Sequence, residues 1–112
     1  MTLQEIALQY MSIFFSGRDL HRLYDIFVDD LIFEGPFHSS NTAAAYIESL
    51  IADPPIDCSY VLQKSFANKN CVNLIYDFRK PGIAVTMCQV FEFRGQKICR
   101  IQLIFDSAVF ER

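Results

Sequence analysis

The sequence contains no concentrated run of basic residues. Its ten lysines and arginines are scattered among thirteen aspartates and glutamates, and the formal net charge is −3. Proteins that bind nucleic acid neutralise the phosphates with a clustered basic face. The charge distribution therefore argues against nucleic acid as a partner.

Motifs for metals, cofactors and covalent catalysis are also missing. The four cysteines, Cys58, Cys71, Cys88 and Cys99, form no C-x-x-C motif and have no histidine at a ligand spacing, which counts against zinc and a thioredoxin-type redox role. There is no H-x-x-x-H motif, carboxylate cluster, glycine-rich phosphate loop or nucleophile beside a histidine and an acid. We predict no metal, no cofactor and reduced thiols buried within strands.

Long hydrophobic runs are absent as well. No apolar stretch approaches the length of a membrane span. The N-terminal MTLQEIALQY has Glu5 where a secretory signal peptide would carry positive charge. We expect a cytoplasmic protein that has no membrane partner.

Aromatic residues, by contrast, are in excess. The chain is 52% hydrophobic and contains eleven phenylalanines, more than a small core requires. Such a surplus is typical of a lined cavity or an apolar association surface. The length fits one compact domain, and since no repeat or linker divides the chain, we assign residues 1–112 to a single domain.

The first half of the sequence has helical periodicity. Thr2 and Glu5 have capping-box spacing before an apolar stripe that ends at Gly17. A second short helix is predicted over LHRLYDIFV, and a third over AAAYIESLIA, capped by Asn41 or Thr42 and stopped by the prolines that follow. The residues predicted on the inner faces of the first two helices are Leu3, Ile6, Ala7, Tyr10, Met11, Phe14, Leu20, Leu23, Tyr24 and Phe27.

The second half of the sequence has a period of two residues. β-rich runs cover 56–67, 71–79, 83–94 and 97–110, and the segments NKN, KPG and RGQ between them have hairpin length. A short strand, LIFE, precedes the third helix, and we expect it at the edge of the sheet. Helices followed by an antiparallel meander predict an α+β fold with three helices packed on one sheet face.

Alternation along the strands assigns each residue to a face. The more apolar set should face the helices, and Gln89 is its conspicuous polar member, between Met87 and Phe91. The opposite face is mixed, so it could be wet or could form half of a dimer interface. The inward set in the last three runs is Val72, Leu74, Tyr76, Phe78, Met87, Gln89, Phe91, Phe93, Ile101, Leu103 and Phe105.

The order helix–helix–strand–helix–four strands resembles the nuclear transport factor 2-like superfamily, with its SnoaL-like polyketide cyclases and ketosteroid isomerases. The segment ALQYMSIFFSGRDLHRLYDIFVDDLIFEGP is similar to the family's opening: an amphipathic helix, a G-x-D-L turn, a second helix, DD, a strand and a proline. The resemblance covers nearly the whole chain. It implies a cone-shaped, cystatin-like roll, in which a strongly curved, mainly antiparallel sheet encloses an apolar cavity that opens near the loop after the first strand.

The resemblance also implies roles for individual residues. Tyr10 falls where ketosteroid isomerases place a tyrosine that donates to the substrate oxyanion. Gln89 falls where they have a protonated aspartic acid as the second donor, and Gly35 falls where they have the aspartate that acts as general base. One donor is kept, one is replaced by a neutral amide, and the base is missing.

Two residues beside Gly35 could carry a proton instead. Histidine titrates near neutrality, so His38 could act as base or acid, although a loop histidine can equally be a surface residue. Glu34 could serve if it turned inward, but its strand parity also allows a solvated position. Tyr10 could be an ordinary core tyrosine and Gln89 a structural partner of another polar group. The predicted pocket consists of Tyr10, Phe14, Tyr60, Tyr76, Gln89, Phe91, Leu103 and Phe105, with His38 at its opening.

Two functions therefore stay open. The first is a non-catalytic module whose cone holds a small, largely apolar ligand or is packed shut. The second is a cofactor-independent isomerase, cyclase or dehydratase that uses Tyr10 and Gln89 as oxyanion donors and His38 or Glu34 as proton carrier. A filled cone would remove the enzyme hypothesis, whereas an empty cavity open to water would keep it.

We also expect a homodimer. On the sheet face away from the helices, Ile75, Val90 and Ile104 lie together with Cys71 and Cys88. So much apolar strand surface would be unusual on a small monomer. A two-fold contact between two copies would cover it.

Overall fold

Three helical segments precede four long strands, so the predicted α+β fold is confirmed. The computed structural model describes residues 1–111, and among them no helix is long and apolar enough to cross a membrane. All six strands belong to one sheet, in the order β2-β1-β6-β5-β4-β3. The elements are α1 (Leu3–Ser16), a 3₁₀ helix (Leu20–Asp25), β1 (Phe27–Glu34), β2 (Ser39–Ser40), α2 (Ala43–Ala52), β3 (Ser59–Ala67), β4 (Cys71–Lys80), β5 (Ile83–Arg94), β6 (Lys97–Ile104) and a second 3₁₀ helix (Ser107–Glu111).

Local signals fix both ends of α1, as predicted. The Thr2 hydroxyl accepts the backbone N–H of Glu5 at 3.1 Å, and the Glu5 carboxylate accepts the N–H of Thr2 at 2.8 Å, which completes a capping box. Gly17 ends the helix in the left-handed region, with φ of 67°. A Cβ atom on Gly17 would lie 2.5 Å from the carbonyl oxygen of Pro55. The end of α1 therefore touches the backbone that follows α2.

The predicted third helix is α2, with the predicted bounds. Thr42, one of the two predicted caps, accepts the backbone N–H of Ala45 at 3.0 Å. Ala43, Tyr46 and Ile47 are the buried residues of α2, so this helix packs through one apolar face.

The segment before β1 differs from the prediction. The helix expected over LHRLYDIFV is a 3₁₀ helix that ends at Asp25, and β1 starts at Phe27 rather than at LIFE. Tyr24, expected on the inner face, is 42% exposed. The physical reason is long-range pairing: the N–H of Ile98 donates to the carbonyl oxygen of Ile26 at 2.8 Å, so the backbone here bonds across the sheet and not along a helix.

The expectation that the first strand lies at the sheet edge is wrong. β1 lies between β2 and β6; it is antiparallel to β2 and parallel to β6. Parallel neighbours need a long connection, and here α2 and the strands β3 to β5 supply it. All other strand pairs are antiparallel, so the sheet is mainly antiparallel, as predicted.

The last four strands form the predicted meander, with differences at its beginning and its end: β3 starts at Ser59 and not at residue 56. Register shifts after Leu62 and after Glu92 mark irregularities in two strand pairs, and such bulges bend a sheet. β6 ends at Ile104 instead of continuing to residue 110. The chain then turns because the Asp106 carboxylate accepts the backbone N–H of Ala108 at 3.0 Å, and the second 3₁₀ helix follows.

The two sheet faces follow the predicted alternation. The inward set in β4, β5 and β6 is buried or half-buried. On the side away from the helices, Phe66 is 55%, Ile104 is 50% and Ile32 is 40% exposed. We call this side the outer face; paired strands place on it Ile32, Glu34, Lys64, Phe66, Cys71, Asn73, Ile75, Cys88, Val90, Glu92, Arg100, Gln102 and Ile104.

Candidate functional site

A cavity of about 600 Å³ lies between the helices and the inner face of the sheet. Ten of the twenty residues in its wall are phenylalanine or tyrosine, so the wall is mainly aromatic. Five of the wall residues are exposed to solvent and mark the mouth: Pro36, Phe37, His38, Asp53 and Lys80. The cone is open and not packed shut, which keeps both hypotheses about its function.

Four buried polar side chains meet in the inner part of the cavity. Tyr10, Tyr46 and Tyr76 are each 2% exposed and Gln89 is 3% exposed, and all four line the cavity. The hydroxyl oxygens of Tyr10 and Tyr46 are 2.5 Å apart. The Tyr76 hydroxyl donates to the Gln89 side-chain oxygen at 2.8 Å. We call these four residues the polar group.

Each member of the polar group is placed by the periodicity of its own element. Tyr10 lies on the buried stripe of α1, and Tyr46 lies on the buried face of α2. Gln89 pairs with Leu74 across β4 and β5, and Tyr76 pairs with Met87. Gln89 and Tyr76 are thus diagonal neighbours on the same sheet face, a position from which long side chains reach each other.

The polar group has a hydrogen-bond donor to spare. Tyr10 and Tyr46 each carry one hydroxyl proton, and the single hydrogen bond between their oxygens uses one of the two, whichever residue donates. The Tyr76 proton is used on Gln89. One tyrosine proton therefore stays available to a molecule in the cavity.

The tyrosines of the polar group are neutral near pH 7. Burial raises the pKa of Tyr10 to about 12, although the hydrogen bond with Tyr46 opposes this rise. Burial also raises the pKa of Tyr46 well above its ordinary value, and the adjacent Tyr10 raises it further. The pKa of Tyr76 is raised in the same direction, mainly by burial. The site thus offers neutral hydroxyl donors on buried side chains.

The raised pKa of Tyr10 predicts a loss of stability in alkali. Unfolded tyrosine ionises near pH 10, so the contribution of Tyr10 is fully present below pH 10 and is lost as the pH rises from 10 towards its folded pKa of about 12. The expected loss is about 1.4 kcal/mol per pH unit. Urea denaturation at several pH values should show a shallower decline for Tyr10→Phe than for the wild type, and a wild-type decline for Tyr24→Phe. Equal slopes for Tyr10→Phe and wild type would contradict the prediction.

The mouth of the cavity contains His38 and leaves little room for a side chain at position 35. The His38 Nε2 and Ser40 Oγ atoms are 2.7 Å apart, and the His38 ring centroid is 6.4 Å from that of Tyr46. The Gly35 N–H donates to the His38 carbonyl oxygen at 2.9 Å. A Cβ atom on Gly35 would lie 3.3 Å from the Phe33 ring, so an aspartate there would require that ring to move.

The structure brings most of the predicted pocket residues to the cavity. Its wall includes Tyr10, Phe14, His38, Tyr76, Gln89, Leu103 and Phe105. Phe91 lies one layer deeper, fully buried with its ring centroid 5.3 Å from that of Tyr10. Tyr60 packs behind the wall, with its ring centroid 4.9 Å from that of Phe15.

Glu34 does not take part in the cavity. Its carboxylate forms an ion pair with Arg100 on the outer face and is half exposed. Arg100 comes from β6, which pairs with β1 in parallel. Glu34 therefore takes the solvated position that its strand parity also allowed.

Tyr46 is the functional candidate that sequence reasoning missed. The available signal was a tyrosine within a predicted helix, whereas Tyr10 was singled out by the family resemblance, which was not applied to Tyr46. Metal binding has no such candidate: among residues 1–111, no group of three or more His, Cys, Asp or Glu side chains could hold a metal ion.

Comparisons with known proteins give structural neighbours only. No protein-family model matches the sequence, and no curated protein matches it. An NTF2-like protein of unknown function from Cytophaga hutchinsonii aligns over 100% of this chain and 96% of its own, with a TM-score of 0.85 and 18% identity.

Two further neighbours carry proposed activities in their descriptions. A proposed ketosteroid isomerase from Kribbella flavida aligns over 93% of this chain and 77% of its own, with a TM-score of 0.80 and 13% identity. A proposed SnoaL-like polyketide cyclase from Jannaschia sp. aligns over 97% and 88%, with a TM-score of 0.77 and 10% identity. Identities this low establish the architecture and not the activity. The chain therefore has the fold of the nuclear transport factor 2-like superfamily, as its sequence pattern predicted.

Proposed function

We propose that the cavity binds a small, largely apolar molecule whose inner end carries an acceptor oxygen, such as a carbonyl or a phenolate. The observation that carries this proposal is the tyrosine proton left over by the Tyr10–Tyr46 hydrogen bond, at the inner end of a mainly aromatic cavity. An apolar wall with a few convergent polar groups is typical of small-molecule sites. The volume of about 600 Å³ suits such a ligand.

The polar group suits an oxygen ligand better than a purely apolar one. A hydroxyl proton buried without an acceptor costs free energy, and an acceptor oxygen on the ligand would remove that cost. Because burial keeps Tyr10 and Tyr46 protonated, the hydroxyl that accepts within the pair keeps its own proton and can donate it to the ligand. An oxygen that gains negative charge would be stabilised most.

A catalytic role is the second candidate, and His38 is the observation that favours it. Its ring lies at the cavity mouth, within 6.4 Å of the Tyr46 ring. His38 could remove a proton from a carbon next to a bound carbonyl, while the tyrosine proton and the Gln89 amide stabilise the oxyanion that forms. No cofactor is needed for such a proton transfer. Exchange of the α-protons of 2-tetralone for deuterium in D₂O, lost in His38→Ala, would separate catalysis from binding alone.

The binding proposal predicts a preference for 2-naphthol over 2-methylnaphthalene, which has nearly the same shape but no hydroxyl group. The naphthol oxygen can accept the free tyrosine proton, so we expect about tenfold tighter binding, the scale of one buried hydrogen bond. Fluorescence titration gives the affinity of 2-naphthol, and competition gives that of the methyl compound.

The double variant Tyr10→Phe/Tyr46→Phe should abolish this preference. It removes donor and acceptor together, so little stability should be lost. A single Tyr→Phe change leaves one free hydroxyl and should retain part of the preference, and Tyr24→Phe serves as the surface control. Equal wild-type affinities for the two compounds would overturn the proposal.

We also propose that the outer face pairs two copies of this chain. Phe66, Ile104 and Ile32 expose large apolar groups there. Between them, the Arg100 guanidinium lies beside Glu34 and Glu92. Opposite charges on one face can pair with themselves across a two-fold axis. Apolar groups around a polar centre are compatible with an interface that forms between folded subunits.

A further inference from the structure

We propose that the turn Ser107–Glu111, which we call the Phe110 turn, is a lid on the cavity. The Phe110 side chain closes the mouth. The turn follows the end of β6 and contains no buried residue. Phe110 nevertheless forms part of the cavity wall. Its ring packs against the core, but it is held at the mouth by a segment that has no fully buried side chain.

Three aromatic contacts hold the Phe110 ring at the mouth. The Phe110 ring centroid lies 5.8 Å from that of Phe37, 5.9 Å from that of Phe78 and 5.3 Å from that of Phe105. These rings come from the loop after β1, from β4 and from the residue that follows β6. Edge-to-face and tilted pairs at these distances are attractive. Phe110 therefore joins separate parts of the rim across the opening.

Lys80 also contacts the Phe110 ring, through its ammonium group. Its Nζ atom lies 5.8 Å from the Phe110 ring centroid, within the range of a cation–π interaction. Among residues 1–111, no carboxylate lies within ion-pairing distance of Lys80. The ammonium group is thus free to hold the ring.

Because no residue of the Phe110 turn is fully buried, the Phe110 ring can move without unfolding the sheet. Segments with few buried contacts open at low free energy, and short surface segments move fast compared with global unfolding. When Phe110 swings out, the contacts to Phe37 and Phe105 break and the mouth widens. A ligand would enter and leave during these openings, so the turn would set the rates of both steps.

This inference rests on the proposed function only in the choice of 2-naphthol as the ligand. In a stopped-flow experiment with 2-naphthol, Phe110→Ala should raise the association and dissociation rate constants together by about tenfold, the scale of losing one or two aromatic contacts. Lys80→Ala should raise both by about threefold. Ile56→Ala and Lys97→Ala, which truncate side chains outside the cavity wall, should leave both rates unchanged.

The outcomes separate a lid from a wall residue. If Phe110→Ala raises the dissociation rate alone, or changes neither rate, Phe110 is only part of the wall and the lid is overturned. If wild-type protein does not bind 2-naphthol, the proposed function fails while the lid stays testable without ligand. In that case, acrylamide quenching of tyrosine fluorescence should be stronger in Phe110→Ala than in the wild type and in Ile56→Ala at equal thermal stability. Unchanged quenching would overturn the lid.

Discussion

Replacing Gly17 with alanine is expected to lower the free energy of unfolding by about 2–4 kcal/mol. Two costs add at this position. Gly17 has φ of 67°, a left-handed conformation that disfavours any side chain. In addition, the new Cβ atom would lie 2.5 Å from the Pro55 carbonyl oxygen, so the junction between α1 and the segment after α2 must move apart.

Gly95→Ala is the matched control, because Gly95 has φ of 64° and no atom within 4 Å of the added Cβ. It should show only the conformational cost, about 1–2 kcal/mol. Urea denaturation followed by far-ultraviolet circular dichroism measures both variants, and the difference between them isolates the contact with Pro55. Equal losses in the two variants would show that the junction yields freely and that our account of the close approach is wrong.

The helices that are capped by nearby residues could be predicted from the sequence. The strand that depends on a distant partner could not. α1 and α2 could be predicted because their caps, Thr2 and Thr42, bond within three residues along the chain. β1 could not, because its position depends on Ile98, far away in sequence. A strand that pairs in parallel with a distant partner carries little signal of that pairing in its own residues.

For the candidate site, the sequence predicted the sheet face of each residue but not its depth. Strand alternation placed Gln89 on the inner face correctly, because the period of two has no dependence on distant contacts. It could not tell Phe91, which lies beneath Tyr10, from Leu103, which lines the cavity. Alternation gives the face of a residue and not its depth, and depth depends on where α1 crosses the sheet.

The hydrogen bond between Tyr10 and Tyr46 could not be predicted from the sequence either. Tyr10 and Tyr46 lie 36 residues apart on two helices, and their hydroxyls meet only because both helices pack on the same sheet face. Each tyrosine alone could have been a core residue with its hydroxyl on the backbone. Their mutual hydrogen bond uses only one of their two hydroxyl protons.

The second prediction with a large expected effect concerns assembly through the outer face. At micromolar concentration, light scattering should give a mass about twice the 12.9 kDa of one chain, since two copies would together cover apolar side chains that are now 40–55% exposed, Ile32, Ile104 and Phe66. Ile104→Glu should return the mass to that of one chain, because a carboxylate in the contact would lose its hydration without a partner.

Ile51→Glu provides the matched control for this substitution. Ile51 is 52% exposed and Ile104 is 50% exposed, so the two changes place the same charge on equally accessible positions. Ile51 lies on α2, away from the outer face, and its variant should keep the mass of two chains. A wild-type mass near one chain that does not change on concentration would show that water alone covers the outer face. In that case the Glu34–Arg100–Glu92 cluster would be a solvated surface network, whose contribution to stability is small.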